Sequence, residues 1–392
     1  MKIGHYVQSI ISLDGMTVYV RKLLKAQKEA GHEVVLYVRE ISLEIPGFDG
    51  VDIKTVSSDK ELYDSSLRDQ MQCLHVHSYQ LIRAHIFAKM PIVLTLHSPN
   101  FICLSQSMML KNAKIPCPHV YHPVRCLYNH FYNHCGSIRP AKIYRAFKRI
   151  TEERKEMALM HVVAPSTYFR DAMLRSGFPN QQLHYVPHFV QVTAAPLPFA
   201  AVDAPKRFLF HGRLHPTKGI DILLQAASIF GEDILIDIAG GGHTYPEYLR
   251  MAKRLGISHR VTFHGQLGWE KIQELMQRSI ASVVPSIFLE TFCLSAAEAQ
   301  ACGRPVIASD AGGLKDIVVP DKTGYLIKPG DHQALALAMQ RIIDDRATAV
   351  QMGHNGWERM RDKFSLPTHL AQLEAVYAAA AQEKAMGNRQ LV

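Results

Sequence analysis

Residues Val284 to Gly313 read VPSIFLETFCLSAAEAQACGRPVIASDAGG, and this stretch decides the fold. The run Ile280 to Val284, apolar but for Ser282, predicts a buried strand stopped by Pro285. Leu294 to Ala301 is helix-forming and is ended by Gly303. Pro305 to Ser309 predicts the next strand, which leads to the loop Asp310 to Gly313. Strand, loop, helix and strand make a βαβ unit, whose ligand crevice lies at the C-terminal ends of its strands. Glu290 stands in the loop and Glu298 eight residues later, about two helical turns on, so both carboxylates are expected at that mouth. There they can accept hydrogen bonds from sugar hydroxyls, while free N–H groups at the helix start suit a phosphate.

The surrounding pattern, PS-x3-E-x-F-x-L-x3-E-A-x-A-x-G-x-P-V followed by Gly312-Gly313, resembles the E-x7-E signature of family 4 retaining glycosyltransferases. The likeness spans nearly the whole chain, strongest from Phe208 to Asp331 and weakest from Phe101 to Pro140. It implies the α/β GT-B architecture, two Rossmann-like domains facing each other across a cleft. This copy departs from the family at Cys293, where Gly is usual, and at Asp316, where GG-x-x-E is usual. It also has Gly15-Met16 where most relatives have Gly-Gly.

A second motif lies upstream in Phe208 to Gly219, FLFHGRLHPTKG: a strand, then a loop carrying Arg213 and Lys218. By resemblance to G-R-x4-K-G, these two cations grip the donor diphosphate. The chemistry suits them, because a departing nucleotide diphosphate gains negative charge. Arg offers bidentate geometry and Lys a compact charge. The likeness further implies Glu298 for ribose hydroxyls, Glu290 for the donor sugar, and backbone amides near Phe292, Cys293 and Leu294 to help Arg213 and Lys218 at the diphosphate. No Asp-x-Asp motif occurs, so cations rather than a metal are expected to carry the phosphate charge, and no cofactor is expected.

A chain of 392 residues predicts two domains, each with its own core. Hydrophobic content of 47% with 20% charged residues is that of an ordinary globular protein. No apolar run reaches membrane-span length, and the start MKIGHYVQSI lacks a signal peptide's plan. The expected location is therefore the cytoplasm, including the inner face of the plasma membrane. Seven cysteines favour free thiols or metal over a disulfide framework.

The net charge of +9 is lopsided: residues 1–200 hold 23 Lys+Arg against 15 Asp+Glu, the remainder 21 against 20. No acid occurs from Gln70 to Thr151, a span with ten Lys/Arg and eight His. Such a field attracts an anionic partner, whether phospholipid headgroups, a lipid diphosphate or nucleic acid; a solvated basic surface is the plain alternative. The helix predicted over Ala141 to Met160 is basic and amphipathic, suited to a core face or to a membrane surface.

Lys2 to Val7 predicts the first strand, Ser9 to Gly15 its turn, and Met16 to Ala30 a helix closed by Gly31. Gly15 would let backbone amides approach a diphosphate. Strands are predicted at Cys73 to His77 and Ile92 to Leu96, joined by a helix around Leu81 to Lys89. His97, in TLHSP, matches the family's histidine near donor sugar and acceptor, whereas His77 is expected to be structural. In the insertion 101–140, Cys103, Cys117, Cys126 and Cys135 stand among four histidines but lack C-x2-4-C pairs. A structural zinc knot and buried thiols both remain open for them.

The expected organisation is an N-terminal acceptor domain over 1–191, an Ala/Pro-rich linker over 192–205, a nucleotide-sugar domain over 206–365, and a last helix over 366–392 returning towards the first domain. The function expected is retaining, metal-independent transfer of a sugar from a UDP-, GDP- or ADP-sugar to a glycan or lipid-linked acceptor of the cell envelope. Peripheral contact with anionic membrane is expected, and nucleic acid is not. The competing readings are a GT-B nucleotide-sugar-cleaving enzyme such as an epimerase, and a basic binding module.

Overall fold

The computed structural model describes residues 1–10, 15–41, 48, 50–77, 82–87, 89–112 and 115–387. The chain divides into two compact units, one of residues 1–108, 118–188 and 366–392, the other of 109–117 and 189–365.

Unit 1 is built on β1 (Lys2–Ile10), β2 (Glu33–Ile41), β3 (Asp52–Thr55), β4 (Cys73–Val76) and β5 (Ile92–Thr95). The ribbon β6 (Met109–Leu110) and β7 (Ile115–Pro116) falls to the other unit. Then β8 (His161–Ala164) and β9 (Leu183–Tyr185) complete a parallel sheet in the order β3-β2-β1-β4-β5-β8-β9. Its helices are α1 (Gly15–Glu29), α2 (Asp59–Arg68), α3 (Pro123–Tyr132), α4 (Pro140–Met157) and α5 (Thr167–Arg175). Ser58 and Ser166 start α2 and α5 by accepting the N–H of Glu61 and Phe169. Of the helix expected around Leu81 to Lys89, positions 81 and 88 lie outside the described residues, and Ala84–Phe87 forms a single 3₁₀ turn. Pro91 follows within four residues, and the residue before a proline is held out of the helical region, which leaves little room for a full helix.

Unit 2 carries β10 (Lys206–His211), β11 (Ile234–Ala239), β12 (Val261–Gly265), β13 (Ala281–Val284), β14 (Val306–Ser309) and β15 (Gly324–Ile327). They form a parallel sheet in the order β12-β11-β10-β13-β14-β15, the doubly wound order. Its helices are α6 (Ile220–Ser228), α7 (Tyr245–Arg254), α8 (Trp269–Arg278), α9 (Leu294–Ala301), α10 (Leu314–Ile317), α11 (His332–Asp344) and α12 (Arg346–Lys363). Strand alternation splits the core: Phe208 and Phe210 join Leu223 and Leu335 in one cluster, while Leu209 joins Met276, Ala297 and Val306 in the other. The Ala/Pro-rich segment is strapped to this unit. Arg304, fully buried, donates to the carbonyls of Leu197 and Pro198, and Trp357 Nε1 donates to Thr193 O.

The last helix, α13 (Leu366–Ala385), belongs to unit 1. It is fixed by polar contacts to the sheet and α1: the Tyr377 hydroxyl lies 2.7 Å from His75 Nδ1 and accepts from Gln27 Nε2. His369 Nε2 lies 2.9 Å from the Tyr19 hydroxyl. Among the described residues, no helix is long and apolar enough to cross a membrane.

Candidate functional site

In unit 2 the sheet order reverses between β10 and β13, and a crevice at such a switch point is where parallel α/β sheets bind ligands. Both motifs arrive there, because β10 ends at His211 just before the Arg213–Lys218 loop and β13 ends at Val284 just before the Glu290 loop. The two loops are locked together by backbone. Ile287 N–H donates to Thr217 O at 2.9 Å. Gly219 adopts φ 69°, and a Cβ there would meet Pro285 O at 2.0 Å, so only glycine lets the loops approach this closely.

That approach brings Lys218 Nζ to 2.7 Å from Glu290 Oε1, which also accepts from Ser286 Oγ at 2.6 Å. Glu290 is only 6% exposed. Burial pulls the Lys218 pKa down, but the charge of Glu290, with Cys293 behind it, more than offsets this and holds it above its ordinary value. The Glu290 loop is braced from the other side. Gly313 N–H donates to Glu290 O at 2.7 Å, and Gly312, at φ 60°, lies so close that a Cβ would meet Glu290 O at 2.3 Å. The double glycine of the sequence thus serves backbone contact behind the carboxylate.

Glu298 lies on α9, with Oε2 3.2 Å from Nε2 of the buried His211. Arg213 is exposed and has no ion-pair partner among the described residues. The loop is electropositive: burial, then the charges of Arg213, His243 and Lys218, lower the pKa of His215. Phe292 is core, packed on Phe364 with ring centroids 5.7 Å apart. Leu294 opens α9, whose first-turn amides face the same end of the sheet. Cys293 precedes it at φ 84°, ψ 82°, a left-handed conformation that glycine adopts freely. Its thiol is pushed up to about 11 by burial, with Glu290 next, and so stays neutral.

In unit 1, Gly15 is the exposed first residue of α1; positions 11–14 of its expected turn lie outside the described residues. His97 follows β5, its ring stacked on His188 with centroids 5.2 Å apart and its Nε2 3.3 Å from His77 Nδ1. Burial lowers its pKa to about 3, so the ring is neutral. His5 and His75 pair in register on β1 and β4, the switch point of this sheet, and His5 Nδ1 lies 3.0 Å from His77 Nε2.

Among the described residues, His5, His75 and His77 are the group whose ligand atoms lie close enough to hold a metal. Their nitrogens are largely engaged: His75 contacts both Tyr377 and Thr95 at 2.7 Å, and His5 and His77 contact each other. This is a hydrogen-bonded core network. None of the four insertion cysteines is disulfide-bonded, and among the described residues they form no such group. Their wide spacing already lacked the paired thiolates that structural zinc uses.

Sequence reasoning brought together Arg213, Lys218, Glu290 and Glu298 but missed His211 and Ser286. His211 was legible as the residue before Gly212-Arg213, Ser286 as the polar residue after Pro285; neither declared its carboxylate partner.

Two families account for the chain in sequence. Residues 14–188 match the Glycosyl transferase 4-like domain, and residues 198–359 match Glycosyl transferases group 1. A D-inositol 3-phosphate glycosyltransferase of Streptomyces avermitilis is 34% identical over 186 residues, 44% of this chain and 40% of that protein. The corresponding enzyme of Corynebacterium diphtheriae is 35% identical over 45% of this chain and 43% of its own length. The chain thus spans less than half the length of these relatives. Among solved structures, HepE of Anabaena in complex with UDP superposes with a TM-score of 0.73 at 17% identity, covering 97% of this chain and 100% of HepE. The lipopolysaccharide galactosyltransferase WaaB in its apo form gives a TM-score of 0.69 at 15% identity, over 97% and 99% of the two chains. With one part matched in each half and both sheets in the doubly wound order, the chain belongs to the group 1, family 4-like glycosyltransferases of GT-B fold.

Proposed function

We propose that this chain transfers a sugar, with retention of anomeric configuration and without a metal, from a nucleotide-diphosphate sugar to an anionic glycan or lipid-linked acceptor. The observation that carries this reading is the convergence of Arg213, Lys218 and Glu290 on one switch point, with Lys218 and Glu290 2.7 Å apart. Arg213 and Lys218 neutralise the diphosphate as the sugar leaves, and the first-turn amides of α9 add to this. Glu290 receives donor-sugar hydroxyls, and Glu298, oriented by His211, receives those of the ribose. The acceptor attacks from the face the nucleotide leaves, and a donor phosphate oxygen takes its proton. In unit 1, His97, neutral at working pH, is the group offered to the acceptor.

Uridine nucleotides are the first donors to try, since HepE is described with UDP. An anionic acceptor suits the acid-free basic span, and the inositol phosphate named for the relatives is of that kind. Synthesis of cell-envelope glycans at the inner face of the plasma membrane is the setting this chemistry fits. The test is a thermal-shift panel of UDP-, GDP- and ADP-sugars, then product analysis by NMR with the best donor. Turnover should give a retained anomer and survive chelator. An inverted product, or activity lost to chelator and restored by a divalent ion, overturns the mechanism.

A further inference from the structure

Helix α3 is built inside out. Its inward face carries Asn129 and His130, both buried, with Cys126 and Asn133 partly so. Its outward face carries Val124, Leu127, Tyr128, Phe131 and Tyr132, all large and apolar and exposed by 41% (Leu127) to 72% (Val124). The spacing i, i+3, i+4, i+7, i+8 makes a continuous stripe, and Tyr128 and Tyr132 stack with centroids 5.3 Å apart. A globular helix normally buries such a stripe; here the opposite, polar face is the buried one. The His130 Nδ1 lies 2.9 Å from Cys126 O, and Cys135 N–H donates to Asn129 O. An exposed apolar patch of this kind marks a docking surface.

The charges around it select the occupant. Arg125 on α3, Arg139 and the exposed Lys142 and Arg145 on α4 flank the stripe in sequence, inside the span without Asp or Glu. A second copy of this surface would bring cations against cations, whereas an anionic bilayer interface accepts both components. Tyrosine and other aromatic side chains settle at headgroup depth while Lys and Arg meet lipid phosphates.

We propose that α3 is a membrane-docking helix, its aromatic stripe seated in the interfacial layer of an anionic bilayer and its neighbouring cations on the headgroups. The docking rests on the proposed transfer only for its purpose, delivery of the chain to a lipid-borne acceptor. α4 supplies mainly charge: Ile143, Ile150 and Met157 on it are buried, Tyr144 alone of its large apolar residues is well exposed, and Arg149 pairs with Glu153 at 2.6 Å.

The experiment is co-sedimentation of the full chain with phosphatidylglycerol vesicles and, separately, with phosphatidylcholine vesicles. The parent should pellet with the first at low salt and not with the second. The triple variant Tyr128→Ser, Phe131→Ser, Tyr132→Ser should bind at least about tenfold more weakly while its donor hydrolysis is unchanged. Phe131→Trp, which keeps the stripe intact, should shift its fluorescence to the blue on phosphatidylglycerol alone. Triple-variant binding equal to the parent, or a Phe131→Trp spectrum indifferent to vesicles, overturns the proposal. So does a concentration-dependent dimer, dissolved by the triple substitution, in a parent that ignores vesicles. Vesicle binding needs no donor, so failure here is distinct from failure of the transferase reading.

Discussion

Lys218 Nζ and Glu290 Oε1 stand 2.7 Å apart across 72 residues of chain, so the cation proposed for the diphosphate and the carboxylate proposed for the sugar form one pair. Glu290 is buried and Lys218 mostly so. Neither group can be altered without leaving the other buried and short of its charge partner, which couples turnover to stability at this point.

Arg213 and Lys218 should therefore separate in their effects. Arg213→Ala, at an exposed position, should lower donor turnover by about 10²–10³ with no change in Tm. Lys218→Met should lower turnover similarly and also destabilise by about 3 kcal/mol, because it strands a buried carboxylate. Adding Glu290→Gln should recover part of that Tm and none of the turnover. Thermal melts beside steady-state kinetics decide it; an unchanged Tm for Lys218→Met would show that the pair carries no stability.

The two glutamates should divide their work. The ribose is remote from the breaking bond, so Glu298→Ala should mainly raise donor KM. The departing sugar gains charge beside Glu290, so Glu290→Gln, which spares Lys218 a full loss of its partner, should mainly lower kcat. Equal effects of both on kcat would contradict the assignment.

Cys293 holds a left-handed backbone that costs a non-glycine residue about 1–2 kcal/mol. Relief of that strain opposes the loss of a buried thiol, so Cys293→Gly should melt within a few degrees of the parent. Cys293→Val, β-branched at the same φ, should melt far lower. If both variants melt alike, the backbone at this position is not strained in solution.

Acid should unfold unit 1 through its histidines. Burial lowers His5 and His369 from 6.5 to about 4, so between these values the unfolded chain binds more protons than the folded one. Stability is full above pH 6.5, falls as pH drops, and the loss is complete below about 4. Each group contributes at most about 1.4 kcal/mol per pH unit within that window. His369→Gln should weaken the protein at neutral pH yet flatten this slope; an identical slope would show that His369 does not titrate with unfolding.

Arg304 fixes the Ala/Pro-rich segment by donating to the carbonyls of Met276, Leu197 and Pro198 from a fully buried position. Arg304→Met should cost about 3 kcal/mol, since it leaves several carbonyls unpaired. Unfolding by urea would measure the loss, and a variant as stable as the parent would mean that water replaces the guanidinium.

The local pattern determined most of what lies in unit 2. The strand stopped by Pro285 and the helix Leu294 to Ala301 ended by Gly303 are signals carried within a dozen residues, and periodicity and turn chemistry read them directly. The roles expected of Arg213, Lys218, Glu290 and Glu298 came from the resemblance of their motifs to the family's. What only tertiary structure decided is pairing across distance. The contacts of Lys218 with Glu290, Glu298 with His211, and Tyr377 with His75 join residues 72, 87 and 302 positions apart, and no local propensity encodes a partner so remote. The direction in which α3 faces was hidden too. From the sequence no helix is expected in this insertion, and only the structure shows one with Asn129 and His130 buried and Val124, Leu127, Tyr128, Phe131 and Tyr132 outward.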